Sequence, residues 1–159
     1  MRADSGFTVI ELLMVIVIIG ILSTIAVSRF SGREPFDELG YAQELATATR
    51  YAQKLAVATR CPVRFEMADA GGYRLRRPDG FAAGNCAANF AADVVNPATG
   101  QAPYAAASPN RVDVISSDGF PVARVFDAQG GITPDADLSL RVGEHTVIVR
   151  RGGGQVIVQ

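Results

Sequence analysis

Hydrophobic and polar residues are distributed very unevenly along this chain. From Leu12 to Ala26 the run LLMVIVIIGILSTIA carries no charge, and between Phe7 and Phe30 the charged residues are Glu11 and Arg29 alone. As a helix rising about 1.5 Å per residue, residues 7–30 would reach about 36 Å, enough to cross a hydrocarbon core of about 30 Å. Ser31-Gly32-Arg33-Glu34-Pro35 then predicts a break or bend, with Pro35 suited to the first turn of a new helix. Over residues 36–60 the period is helical. Tyr41, Leu45, Ala48, Ala52 and Leu55 share one face, Gln43, Thr47, Arg50 and Lys54 lie opposite, and the small alanines allow close approach to a sheet. Cys61-Pro62 ends that helix, because a residue before proline avoids helical angles.

Beyond Pro62 the period falls to two. Val63, Phe65 and Met67 alternate with Arg64 and Glu66; after a turn at Ala70-Gly71-Gly72, Tyr73 and Leu75 alternate with Arg74 and Arg76. Residues 78–109, rich in Ala, Gly, Asn and Pro, predict a long variable loop with short elements at most, a place where binding is often carried. Further strands are expected at 112–116, 122–126, 138–142, 146–150 and 155–158, with turns at Gly130-Gly131 and Gly152-Gly153-Gly154. Helix first and antiparallel strands afterwards make an α+β fold. The expected layout is a leader at 1–6, an apolar helix at 7–30, a bend and amphipathic helix at 31–60, and an antiparallel β head at 61–159.

Composition narrows the chemistry. The 159 residues suit one domain, and 48% hydrophobic with 19% charged residues is enough apolar mass for a core. A net charge of −1 with pI near 5.8 gives no strong pull toward nucleic acid or anionic lipid, so a nucleic-acid module is disfavoured. With His145 the single histidine, a multi-histidine metal site is ruled out, and no cofactor is implied.

Three readings of the N-terminus compete. One is a cleaved secretory signal, with Arg2 at its start and Ala26-Val27-Ser28 as a small-residue cleavage site; the second is a plain membrane anchor. The third is a short leader cut before the apolar run. Glu11 separates them. A carboxylate in an apolar helix costs about 2.5–3.5 kcal/mol at mid-membrane, less near an interface. A signal or a simple anchor gains nothing from it, whereas a subunit that pairs its terminus with a neighbour inside an apolar filament does.

Ser5-Gly6-Phe7-Thr8-Val9-Ile10-Glu11-Leu12-Leu13, followed by MVIVIIGIL, resembles the type IV prepilin signature. That resemblance implies cleavage between Gly6 and Phe7 by a prepilin peptidase and N-methylation of Phe7. It also implies a subunit contact in which Glu11 meets the N-terminal amine of an adjacent subunit. The head extends it. Residues 36–77 and the late block VFDAQGGI, LSLRVG, HTVIVRRGGGQVIV resemble minor pseudopilins of the GspH/FimT-like group, some of them described as mannose-sensitive hemagglutinin pilus biogenesis subunits. The implied fold is pilin-like, a long N-terminal helix packed on an antiparallel sheet. The implied localisation is the bacterial inner membrane, single-pass with the head in the periplasm, and then a pilus or pseudopilus. Two features depart from the pattern. Arg2 is offset by Asp4 while Arg29 and Arg33 lie on the far side, so the positive-inside tendency gives no support; and Ser28 stands where many major pilins carry a proline, which favours a minor subunit.

Individual residues add little catalytic promise. Cys61 and Cys86, the only cysteines, are expected to form a disulfide once exported, the alternative being free thiols. His145 lacks a second histidine or a nucleophile motif and reads as a surface residue. Asp113, Asp118, Asp127, Asp135 and Asp137 read as turn aspartates, too sparse for a calcium loop. Gly152-Gly153-Gly154 leads to a strand, not a helix, and is no phosphate cradle. Arg74, Arg76, Arg77 and Arg150, Arg151 read as solvated faces. The expected function is a non-enzymatic minor pilin or pseudopilin whose partners are prepilin peptidase, other pilin subunits and the inner membrane. The alternative is a pilus-associated adhesin or DNA-uptake receptor acting through the 78–109 loop or the arginine faces.

Overall fold

A computed structural model describes residues 8–30, 34–80, 86–87, 89–110 and 112–159, with side chains on the first helix as far as Ser23 and on the second from Phe36. The chain divides into two units, 1–33 and 34–159. The leader, Gly6, Phe7, the bend at 31–33 and the Ala26-Val27-Ser28 side chains lie outside the described residues.

The first unit contains α1 (Val9–Phe30), 22 residues long. Thr8 caps it: its Oγ1 accepts the Glu11 N–H at 3.3 Å, satisfying one of the donors that a helix start leaves free. Every side chain described on it, from Val9 to Ser23, is exposed. That stretch spans roughly 22 Å at the rise of a helix, and among the described residues no helix is long and apolar enough to cross a membrane.

The second unit begins with α2 (Glu34–Thr59), 26 residues long. Arg60, at φ 56°, turns the chain into the left-handed region and closes the helix one residue before the Cys61-Pro62 step that the sequence singles out. The strands are β1 (Val63–Met67), β2 (Gly72–Arg77), β3 (Ala92–Asp93), β4 (Ala105–Ala107), β5 (Val114–Ser116), β6 (Val122–Phe126), β7 (Ile132–Thr133), β8 (Leu138–Val142), β9 (His145–Val149) and β10 (Val156–Val158). All pairings are antiparallel, and the expected β head divides into two sheets. One has the order β3-β2-β1-β6-β7, with β4 also on β2; the other has the order β10-β9-β8-β5. The first depends on the long-range pairing of β1 with β6, Val63 opposite Phe126.

Period-two burial supplies the core from both sheets: Val63, Phe65, Met67, Tyr73 and Leu75 from one, Leu138, Leu140, Val142, Val147 and Val149 from the other. α2 packs against strands of both. Its buried stripe is wider than the expected one, adding Ala42, Ala46, Thr49 and Ala56 to Tyr41, Leu45, Ala48 and Ala52, while Leu55 is half-buried. The alanines let the helix axis sit close to the strands, and the Thr49 hydroxyl, buried on that stripe, bonds back to Leu45 O at 2.7 Å.

The short elements expected in segment 78–109 are β3 and β4, which return it to the first sheet, and the segment buries Val94 and Tyr104. Val94 N–H bonds to Leu75 O and Leu75 N–H to Tyr104 O, so the edge of β2 is completed by this excursion. Arg124, on the inward face of β6 between Val122 and Phe126, is only 3% exposed.

Candidate functional site

Among its described side chains the N-terminal helix offers one charged group, set among exposed aliphatics. Glu11 stands in the first turn of α1, where a carboxylate also interacts favourably with the helix dipole. Thr8-Val9-Ile10-Glu11 has the spacing of a capping box, and its Thr8 half is formed. Thr8 is a functional residue beyond those the sequence analysis names, and its signal is the Thr-x-x-Glu spacing. Around Glu11 the exposed residues are Val9, Ile10, Leu12, Leu13 and Met14, followed by Val15–Ile19. Such a surface is stable only against lipid or other apolar chains.

On the head, Cys61 and Cys86 are bridged, with Cα atoms 5.6 Å apart. The bridge ties the start of β1 to the 78–109 excursion. From there the chain crosses the outer face of β1 and β2. The Arg64 guanidinium lies 4.0 Å from the centre of the Phe90 ring. Arg76 Nη1 donates to Ala91 O at 3.2 Å, and Arg74 Nη2 donates to the Asp93 carboxylate at 3.0 Å. Arg76 Nε meets Glu66 at 3.2 Å and Asp93 at 3.8 Å, while Arg77 Nε donates to Asp93 O at 3.0 Å. The arginines at 74, 76 and 77 are therefore not the solvated face the sequence suggested. Carboxylates and carbonyls of the same chain occupy them.

The other singled-out residues are dispersed. His145 is half-buried at the start of β9. Asp127 Oδ1 accepts the N–H groups of Gln129 and Gly131 and shapes that turn. Asp135 and Asp137 accept the N–H groups of Gly152 and Arg151, anchoring the glycine turn, and Arg150 pairs with Asp137 at 3.3 Å. The Arg151 N–H and the neighbouring arginines hold the Asp137 carboxyl below its usual range. Asp118 pairs with the buried Arg124, which together with the Ser117 hydroxyl lowers its carboxyl pKa. Asp113 contributes its carbonyl, which accepts from the Gly143 N–H. Among the described residues, no three His, Cys, Asp or Glu side chains gather to hold a metal.

An open trough of about 560 Å³ crosses the outer face of the first sheet, with Gly72, Ala105 and Ala123 giving it depth and Glu66, Asp69 and Arg74 giving it charge. It holds neither a histidine nor a free thiol. A tyrosine cluster lies on the opposite, inward side: Tyr73 is within 6.4 Å of Tyr41 and 6.3 Å of Tyr104, ring centre to ring centre. Burial pushes the Tyr41 hydroxyl up to about 12, with the Glu44 charge adding to it; Tyr73, which donates to Glu44 at 3.0 Å, and Tyr104 are also raised by burial. Burial thus keeps these hydroxyls protonated well above neutral pH.

Residues 1–27 match the prokaryotic N-terminal methylation motif, and residues 41–156 match the type II transport protein GspH. Two crystal structures of the type IV minor pilin FimU of Pseudomonas aeruginosa (strain PAO1) share the fold. The P21 form has a TM-score of 0.53 at 12% identity, covering 79% of this chain and 90% of that one. The P65 form has 0.54 at 14% identity, covering 76% and 91%. No curated protein matches the sequence. The family and fold are those of structural subunits, not enzymes. The chain therefore belongs to the GspH family of type II transport proteins, as a minor pilin or pseudopilin carrying the N-terminal methylation motif.

Proposed function

We propose that the chain is made as a single-pass inner-membrane precursor with its head in the periplasm, cut between Gly6 and Phe7 by a prepilin peptidase and methylated on Phe7. It then enters a pilus or pseudopilus as a minor subunit among other pilins. The observation that carries this reading is the exposed aliphatic surface of α1 interrupted by Glu11 alone in its described length. Apolar α1 segments packing together replace lipid contact, and the Glu11 carboxylate sets register by pairing with a neighbour's amine. Two charges in a dry environment are tolerable when paired and hydrogen-bonded.

Glu11 also has the spacing for a local use, as the acidic member of a capping box whose Thr8 half is formed. Glutamine serves a capping box as glutamate does, but carries no charge. Incorporation into sheared filaments of Glu11→Gln and Glu11→Ala, with processing followed by mobility shift, separates the two uses. Register pairing requires that both variants be cleaved and both incorporate poorly. Normal incorporation of Glu11→Gln would leave capping as the whole role of the carboxylate.

The alternative, a DNA-uptake receptor, draws no support from the arginine face, since Asp93, Glu66 and Ala91 already engage Arg74 and Arg76.

A further inference from the structure

We infer that the first turns of α2 are a lipid-contacting face that seats the head on a zwitterionic bilayer surface while the subunit is still a membrane precursor. The inference rests on the membrane-inserted stage of the proposed function. Phe36 is 78% exposed and Leu39 41% exposed, three residues apart and therefore on one side of the helix. Gln43, one turn further, continues that side and is exposed. The head's own contacts fix which side faces away. The Glu38 carboxylate accepts the Glu144 N–H at 3.3 Å, and Tyr41 and Ala42 are buried. A Cβ placed on Gly40 would meet nothing within 4 Å, so this part of α2 stands clear of the head on that side.

Chain length and charge identify the occupant. Phe36 is the sixth residue after Phe30, the end of α1, so at most about 21 Å of extended backbone separates it from the apolar helix. The type IV pilin family is membrane-anchored before assembly, so a patch this close to the anchor is within reach of the headgroup region. An amphipathic helix lying there buries its apolar side about 5–10 Å into the headgroup and acyl boundary. Residues 34–49 contain Glu34, Asp37, Glu38 and Glu44 and no lysine or arginine, and the stretch stays net acidic when Arg29 and Arg33 just before it are counted. Such a segment is repelled by anionic lipid and held by apolar contact, which selects a zwitterionic surface and predicts insensitivity to salt.

The sequence has no tryptophan, so a single introduced one is a clean reporter. The full-length precursor is reconstituted into phosphatidylcholine vesicles with brominated acyl chains, as Phe36→Trp and, separately, as Ile16→Trp. The expected result is quenching of Ile16→Trp by deep bromines and of Phe36→Trp by shallow ones. The Phe36→Trp quenching should be unchanged by salt and reduced when phosphatidylglycerol is added. Introducing Leu39→Glu beside Phe36→Trp should at least halve its quenching and leave that of Ile16→Trp intact. Quenched Ile16→Trp with unquenched Phe36→Trp would overturn the seat and leave the membrane stage standing; neither quenched would overturn both. Quenching that survives Leu39→Glu would reduce the effect to proximity and contradict the seat.

Discussion

Gln53, about three-quarters of the way along α2, donates its side-chain amide to the carbonyl of Gly130 at 2.9 Å. The same nitrogen reaches the carbonyl of Gly153. The first acceptor lies in the turn between β6 and β7, the second in the turn between β9 and β10, so one side chain fastens the helix to both sheets. Gly154 makes this approach possible. Its φ is +58°, and a Cβ there would lie 2.6 Å from Gln53 Nε2 and 2.8 Å from Gly130 O. Gly154→Ala combines a left-handed backbone penalty of about 1–2 kcal/mol with that clash. It should destabilise the detergent-solubilised protein by more than Gln53→Ala, which removes hydrogen bonds worth roughly 1–2 kcal/mol together. Urea unfolding followed by circular dichroism checks the order.

Arg124 and Asp118 form the second link between the sheets, since Asp118 sits between β5 and β6. Asp118→Asn leaves a guanidinium that is almost fully buried without its countercharge. Asp118 is itself 43% exposed, which weakens the pair, so the expected loss is about 1–3 kcal/mol. The carboxyl is lowered in the folded state, so the ion pair contributes fully above the unfolded value near 3.8. That contribution fades as pH falls through the lowered folded value. The stability gap between the native sequence and Asp118→Asn should be flat from neutral pH to about pH 5 and close below about pH 4.

The tyrosines give the opposite sign at the alkaline end. Tyr41 is raised from 10.0 to about 12, and Tyr73 and Tyr104 are raised too. An acid held protonated by the fold stabilises below its unfolded value and loses that contribution as pH rises through the folded one. Stability should therefore decline above about pH 10. Tyrosinate absorbance from these residues should appear together with loss of far-ultraviolet dichroism, and ionisation of Tyr73 well ahead of unfolding would contradict its buried bond to Glu44.

Cys61–Cys86 closes a 25-residue separation, and loop-entropy reasoning gives such a bridge about 3–4 kcal/mol. The double variant Cys61→Ser, Cys86→Ser should lose about that much in chemical denaturation, and reduction of the native protein should reproduce it. Amide exchange should rise in the segment around Phe90, which the bridge holds against Arg64.

Much of this architecture was legible because it follows local period. Val63, Phe65 and Met67 declared an inward face, and Tyr41, Leu45 and Ala48 declared a helical stripe. What stayed hidden depends on partners far along the chain. No local pattern reveals that Val63 pairs with Phe126, which is what separates the strands into two sheets. β3 and β7 are each two residues long, too short for any period to register. Arg124 occupies an inward slot of a clean alternation, where its charge argues for solvent; Asp118 makes the slot acceptable, and only the folded turn brings it there. Likewise Asp93 reaches Arg74 and Arg76 through an excursion whose sequence resembles a loop. At the N-terminus both the motif around Glu11 and the Thr8-x-x-Glu11 spacing of the cap are local, and so legible in the sequence.

The central claim is that the apolar helix belongs to a processed pilin subunit. Mass spectrometry of the N-terminus, on protein recovered from cells with an active prepilin peptidase, tests it most directly. A mature chain beginning with methylated Phe7 is the predicted result. A chain beginning near Arg29, or one that keeps residues 1–6, would contradict it.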